Sequence, residues 1–148
     1  MKNVVVCLNI DRKSFNELRR VKYYVPDNET NITLLHIWDK KAYNYPSDMI
    51  VAFYPNTEQA EDIQREMKIN LEEQFNSLDG HSSEHFNTQV FSSTNPKKET
   101  VGFLVENNSD LVICFSPEKG TVENFFHSSF TNFLNAHAPC DVLNLRIK

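Results

Sequence analysis

The sequence predicts an α/β domain: a single doubly wound, five-stranded parallel sheet with helices on both faces. Three observations lead there. Five short apolar runs, near Val4–Ile10, Ile32–Trp38, Phe86–Ser92, Leu111–Phe115 and Val142–Ile147, alternate with four stretches of helical periodicity. Runs such as Val4 to Ile10 are continuously apolar, as strands buried on both faces are. Right-handed crossovers then restrict strand–helix–strand connections to a doubly wound topology.

The elements follow in order. Val4 to Ile10 is the first strand and ends at Asp11. Ser14-Phe15-Asn16-Glu17 fits a capping box, and Phe15, Leu18 and Val21 share a face of the helix behind it. Pro26-Asp27-Asn28 stops that helix. The second strand runs from Ile32 to Trp38, and an irregular aromatic-rich segment, Asp39 to Tyr54, follows. Asn56 or Thr57 starts a long helix to about Leu78, with Ala60, Ile63, Met67, Leu71 and Phe75 on its apolar stripe; Asp79-Gly80 ends it. In the third strand Phe86, Thr88 and Val90 alternate with Asn87, Gln89 and Phe91. Asn95-Pro96 pairs a cap with a first-turn proline, and Val101, Leu104 and Val105 form the next helix's inner face. The fourth strand, Leu111 to Phe115, opens into a loop reading Phe115-Ser116-Pro117-Glu118-Lys119-Gly120-Thr121. The last helix bears Val122, Phe125, Phe126, Ser129, Phe130, Phe133 and Leu134 on its apolar stripe, and Val142 to Ile147 is the fifth strand.

Composition bounds the function. At 148 residues the chain is one domain, able to bury roughly two-thirds of its unfolded surface. A formal charge of -5 argues against nucleic acid or an anionic membrane as partner. No apolar run approaches the ~20 residues that span a bilayer, and Met1 to Cys7 is too short and polar for a signal peptide. Three cysteines, Cys7, Cys114 and Cys140, without close spacing suit a reducing cytosol better than a disulfide framework.

At this point the chain resembles the universal stress protein family over nearly its full length. The resemblance rests on the order of elements, on Asn9-Ile10-Asp11, Leu34-Leu35-His36-Ile37 and Asp110-Leu111-Val112-Ile113, and most specifically on His137-Ala138-Pro139-Cys140 before the last strand. It implies a strand order of 3-2-1-4-5, cytoplasmic residence, and a homodimer paired along the fifth strand. Val142, Leu143, Leu145 and Ile147 are the expected interface residues there; pairing also removes the open sheet edge.

Members of that family that bind ATP have a loop of Gly, two residues, Gly, nine residues, Gly, then Ser or Thr. Counted back from His137, the last Gly falls on Ser128 and the hydroxyl on Ser129. The second Gly falls on Glu118 and the first on Phe115. Only the hydroxyl survives. Glycines let backbone N–H groups approach phosphates closely; Phe115 adds a ring, Pro117 removes a donor, and Glu118 adds like charge. Each like-charge pair at ~4–6 Å, with effective ε about 20, costs roughly 3–4 kcal/mol, against about 8 kcal/mol for micromolar binding. Lys119 offsets part of this. Asp11 keeps the family's adenine- or ribose-side position and Ile37 the base-side one.

Other residues have plain readings. Asp11 is equally a helix cap. His81-Ser82-Ser83-Glu84-His85 spells a zinc-protease pattern, but it follows Asp79-Gly80 and leads into a strand, so it reads as a polar loop. His36 reads as a satisfied core histidine, and His137 as a helix C-terminal residue. Cys140 lacks the nearby cations that would activate a thiol, and Ser116 and Ser129 lack a base partner. The expectation is therefore a non-catalytic cytoplasmic stress-response or regulatory homodimer with possible protein partners, without metal, cofactor or ATP. One rival is an ATP- or AMP-binding switch using Asp11, Ile37, Ser128 and Ser129. The other is an enzyme of adenylyl-transferase or flavodoxin-like type, against which stands the turn Asp11-Arg12-Lys13-Ser14, lacking the His-x-x-His, Ser-Gly-Gly or hydroxyl-rich loop those sites use.

Overall fold

The computed structural model describes residues 2–8, 12–21, 23–25, 29–39, 57–76, 86–116 and 122–147. The element order is β1 (Lys2–Cys7), α1 (Arg12–Val21), β2 (Thr30–Asp39), α2 (Thr57–Asn76), β3 (Phe86–Ser93), α3 (Pro96–Glu106), β4 (Leu111–Ser116), α4 (Val122–His137) and β5 (Asp141–Arg146). The strands form one sheet in the order β3-β2-β1-β4-β5, and every pairing is parallel. The expected strand order and fold class hold.

Alternation along the strands divides the core into two layers. Val4, Val6, Leu34, Ile113 and Phe115 face one side with Leu18 and Val21 of α1 and Leu71 of α2. Val5, Leu35, Val112 and Cys114 face the other with Leu104 of α3 and Leu134 of α4. Both faces are covered, which explains the lack of polar alternation in β1 and β4.

Several local expectations are met. Asn95 caps α3, its side chain accepting from the Lys98 N–H at 3.3 Å, with Pro96 in the first turn. At the other end Ser109 N–H bonds to Leu104 C=O at 3.1 Å and Asn108 N–H to Val105 C=O at 3.2 Å. Asn108 takes φ +46°, so a Schellman motif closes the helix with asparagine in the left-handed position. Gln64 Nε2 on α2 donates to Val90 C=O at 3.1 Å, fastening that helix to β3.

Other details are corrected. Ser14 does not cap α1; the helix starts at Arg12, Ser14 is its third residue and is buried, and Glu17 pairs with Arg20 one turn on. Val105 is 56 % exposed, not on the inner face of α3: that face centres on Thr100 and Leu104, and the next residue sits about 100° round the helix. Phe115 lies in β4 as expected, and Ser116 belongs to the strand too rather than to the loop after it, because it pairs with Arg146. β1 begins at Lys2, two residues early, paired with Thr30. The segments 40–56, 77–85 and 117–121, with the His81–His85 pattern, Glu118 and Lys119, lie outside the described residues.

A polar clasp fixes the N-terminal end of β1 against β4. Asn3 N–H donates to Asp110 Oδ2 at 2.8 Å, and Asp110 N–H donates to Asn3 C=O at 2.8 Å. Asn3 Nδ2 also reaches Asn107 C=O, and Asn31 Nδ2 donates to Asn3 Oδ1 at 3.1 Å. The aspartate that starts the Asp110–Ile113 stretch is thus a connector.

Two substitutions test this layering by urea denaturation. Leu34→Ala, at a site with no solvent exposure, is expected to cost about 3 kcal/mol through transfer and cavity effects. Asn95→Ala is expected to cost about 1 kcal/mol through the lost cap. Equal losses from the two would contradict the assignment of core and cap.

Candidate functional site

In an open parallel sheet, ligands gather beyond the C-terminal strand ends where the strand order reverses. Here β2 leaves β1 on one side and β4 adjoins it on the other. At that point lies a cavity of about 370 Å³, within the ~300–1,000 Å³ range of small-ligand sites.

Each wall has a local origin. β1 supplies Cys7 and the residue after it, Leu8; β2 supplies Leu35, His36, Ile37 and Asp39; β4 supplies Cys114 and Phe115. Ser14 enters from α1, Pro96, Lys97 and Thr100 from the start of α3, and Phe130 from α4. Cys7 and Cys114 are direct register partners on adjacent strands, so two thiols lie side by side in the floor.

The polar groups are mostly engaged. His36 Nδ1 lies 2.8 Å from Leu8 C=O; a carbonyl only accepts, so Nδ1 bears the proton. The expectation of a satisfied histidine holds, although the residue is half-buried and lines the cavity. Thr100 Oγ1 donates to Pro96 C=O at 2.7 Å. Lys97 Nζ donates to Ser129 Oγ, joining the start of α3 to α4.

The nucleotide-side residues named from sequence are only partly brought together. Ile37 lines the cavity, and Ser129 is exposed beside it, tied to Lys97. Asp11 and the side chain of Ser128 lie outside the described residues. Lys97 and the paired thiols were missed. Position 97 has no periodicity to mark it, and its partner lies 32 residues away.

On β5, Leu145 is buried within the subunit, while Val142, Leu143 and Ile147 are half-buried and pack on the two core layers. Ser116 Oγ donates to Asn144 Oδ1 at 2.7 Å, leaving its hydroxyl with an amide and no base. His137 ends α4 stacked on Phe133, ring centroids 4.5 Å apart.

All three thiols are held toward their protonated form. Burial raises the pKa of Cys7 above the ordinary thiol value, with help from Cys114 and Cys140. Burial raises Cys114, against a smaller opposing effect of the Thr131 hydroxyl. Burial, then Asp141 and Asp110, raise Cys140. None is poised as a nucleophile. Among the described residues no cluster of His, Cys, Asp or Glu is arranged to hold a metal, and no helix is long and apolar enough to cross a membrane.

The model of the universal stress protein family matches residues 1–146, and the chain belongs to that family. Among solved structures, the universal stress protein UspA from Lactobacillus plantarum superposes with TM-score 0.66 at 18 % identity, over 98 % of this chain and 97 % of that one. A universal stress protein in complex with cAMP gives 0.60 at 13 %, over 99 % and 98 %. One from Archaeoglobus fulgidus in complex with dAMP gives 0.55 at 10 %, over 97 % of each. No curated protein matches significantly. Identities this low speak to the fold.

The raised thiols set an alkaline limit on stability. Below about pH 8.5 folded and unfolded chains both keep the thiol protons. Above it the unfolded chain releases protons that the folded chain retains, so stability falls as pH rises toward the folded values, by up to roughly 1.4 kcal/mol per pH unit for each of Cys7 and Cys114 and by less for the more exposed Cys140. Cys7→Ala is expected to flatten this slope in urea midpoints measured from about pH 7 to 10.5. An unchanged slope would remove Cys7 as a contributor.

Proposed function

We propose that this chain is a non-catalytic, cytoplasmic regulatory member of its family that works as a homodimer joined along β5 and holds no ATP. The observation that supports the reading best is Phe115. It stands where ATP-binding members have the first loop glycine, and its side chain is 7 % exposed, packed in the core at the end of β4. A backbone built around that ring cannot bring its N–H groups to a phosphate as glycine does.

The case against catalysis is chemical. Burial pushes the thiols toward their protonated form, Ser116 is hydrogen-bonded to an amide, and His36 Nδ1 is bonded to a backbone carbonyl. The case for a dimer rests on β5, the last strand of the order, whose outer edge is left with unpaired backbone groups; a two-fold copy satisfies them while Leu145 stays in its own core. Regulation then proceeds through contacts with other proteins, since the net charge of -5 disfavours nucleic acid and anionic membranes.

A second reading, a mononucleotide-binding switch, has the cavity itself in its favour, with Ile37 in its wall and structural neighbours described in complex with cAMP and dAMP. Native mass spectrometry before and after millimolar Mg-ATP or AMP separates the two. The expected spectrum is a dimer whose mass does not change. One nucleotide per subunit, retained or added, supports the switch instead, and a monomer at micromolar concentration removes the β5 interface.

A further inference from the structure

Lys97 is half-buried at the rim of the switch-point cavity, and among the described residues its ammonium has one partner, the neutral hydroxyl of Ser129. No carboxylate lies within ion-pair distance of it there: the ion pairs among the described residues are Arg20–Glu17 and Arg65–Asp62. Its charge is open to a partner anion. It also sits in the first turn of α3, where the helix dipole adds positive potential. Both effects make this rim attractive to an anion.

The donor set limits which anion. Pro96 has no N–H to offer, and the Lys98 N–H is taken by the Asn95 side chain at 3.3 Å. The helix start therefore lacks the fan of free N–H groups that a phosphate uses. Among the described residues one ammonium and one hydroxyl stand at this rim, which suits a head group of single charge. Behind them the cavity is lined by Leu35, Ile37, Phe115 and Phe130, over the floor of protonated Cys7 and Cys114. Asp39, at the end of β2, also lines the cavity and has an interaction of its own.

We infer that the cavity binds a small carboxylate with an apolar, ring-sized body, its carboxylate bridging Lys97 Nζ and Ser129 Oγ and its body packed between Ile37 and Phe130. The inference rests on the preceding reading that no triphosphate occupies this place, and it gives the regulatory protein a ligand class.

The probe is 1-naphthaleneacetate, titrated by calorimetry against the full chain, beside its uncharged alcohol counterpart, AMP and Mg-ATP. Expected is saturable binding of the carboxylate, one per subunit, with the alcohol at least tenfold weaker. Lys97→Met, which keeps the stem and removes the charge, is expected to weaken the carboxylate at least tenfold and to leave the alcohol unchanged. Lys98→Met, exposed one residue on and outside the cavity wall, is expected to stay within twofold of the parent. Thermal melting of both variants checks that they fold; if Lys97→Met does not, Ser129→Ala takes its place, with a smaller expected loss. Absence of saturable carboxylate binding at millimolar concentration overturns the inference, as does an equal loss in the two lysine variants or equal affinity for acid and alcohol. Mg-ATP binding that accompanies the expected carboxylate pattern overturns the no-ATP reading and leaves the carboxylate site standing.

Discussion

The position of β1 governs this molecule. It is the middle strand of five, paired in parallel with β2 on one side and β4 on the other. Because crossovers are right-handed, the units that leave β1 in opposite directions place their helices on opposite faces. α1 and α2 pack on one layer and α3 and α4 on the other. Two consequences follow. The central strands must be apolar on both faces, and the chain segments at their C-terminal ends diverge, leaving a crevice. The core and the cavity thus have one cause.

The described lining of that crevice has a chemistry of its own. Residue 115 contributes an aromatic ring to the core, and the floor is built of two thiols that burial keeps neutral. The first turn of α3 brings an ammonium across to α4. Among the described residues the outcome is a largely apolar recess with an ammonium at its rim.

The sequence made the architecture legible because parallel strands buried on both sides leave nothing ambiguous: Val4-Val5-Val6 and Leu111 to Phe115 fit little else. The α3 start was legible too, since Asn95 and Pro96 act through their own backbone. Where reading failed, tertiary context had overridden a local signal. Ser14 matches a capping box but sits inside a helix begun two residues earlier. Ser116 is the first polar residue after an apolar run, yet its pairing with Arg146 carries β4 one residue past Phe115. Within the cavity wall, Ile37 was named through the family resemblance. Lys97 was not, because a flexible cation reaching a hydroxyl on another helix has no signature in spacing or hydropathy. The Asn3–Asp110 clasp was hidden for the same reason, its partners being 107 positions apart.

That separation bears on how the chain acquires its structure. β1 pairs with β2, and β2 with β3, through neighbours in sequence, whereas the β1–β4 seam waits for residues around 110 to be synthesised. Closing so long a loop is slow, since entropy is lost before contacts repay it. During translation at roughly 5–20 residues per second, the Val4–Val6 edge of β1 stays unpaired for several seconds after β2 could have joined it. In that interval the nascent chain presents an apolar, hydrogen-bond-hungry strand of the kind that aggregates or recruits chaperones. The clasp ends this exposure: once Asp110 meets Asn3, the seam is aligned from its first residue, and the rest of β4 can close along β1.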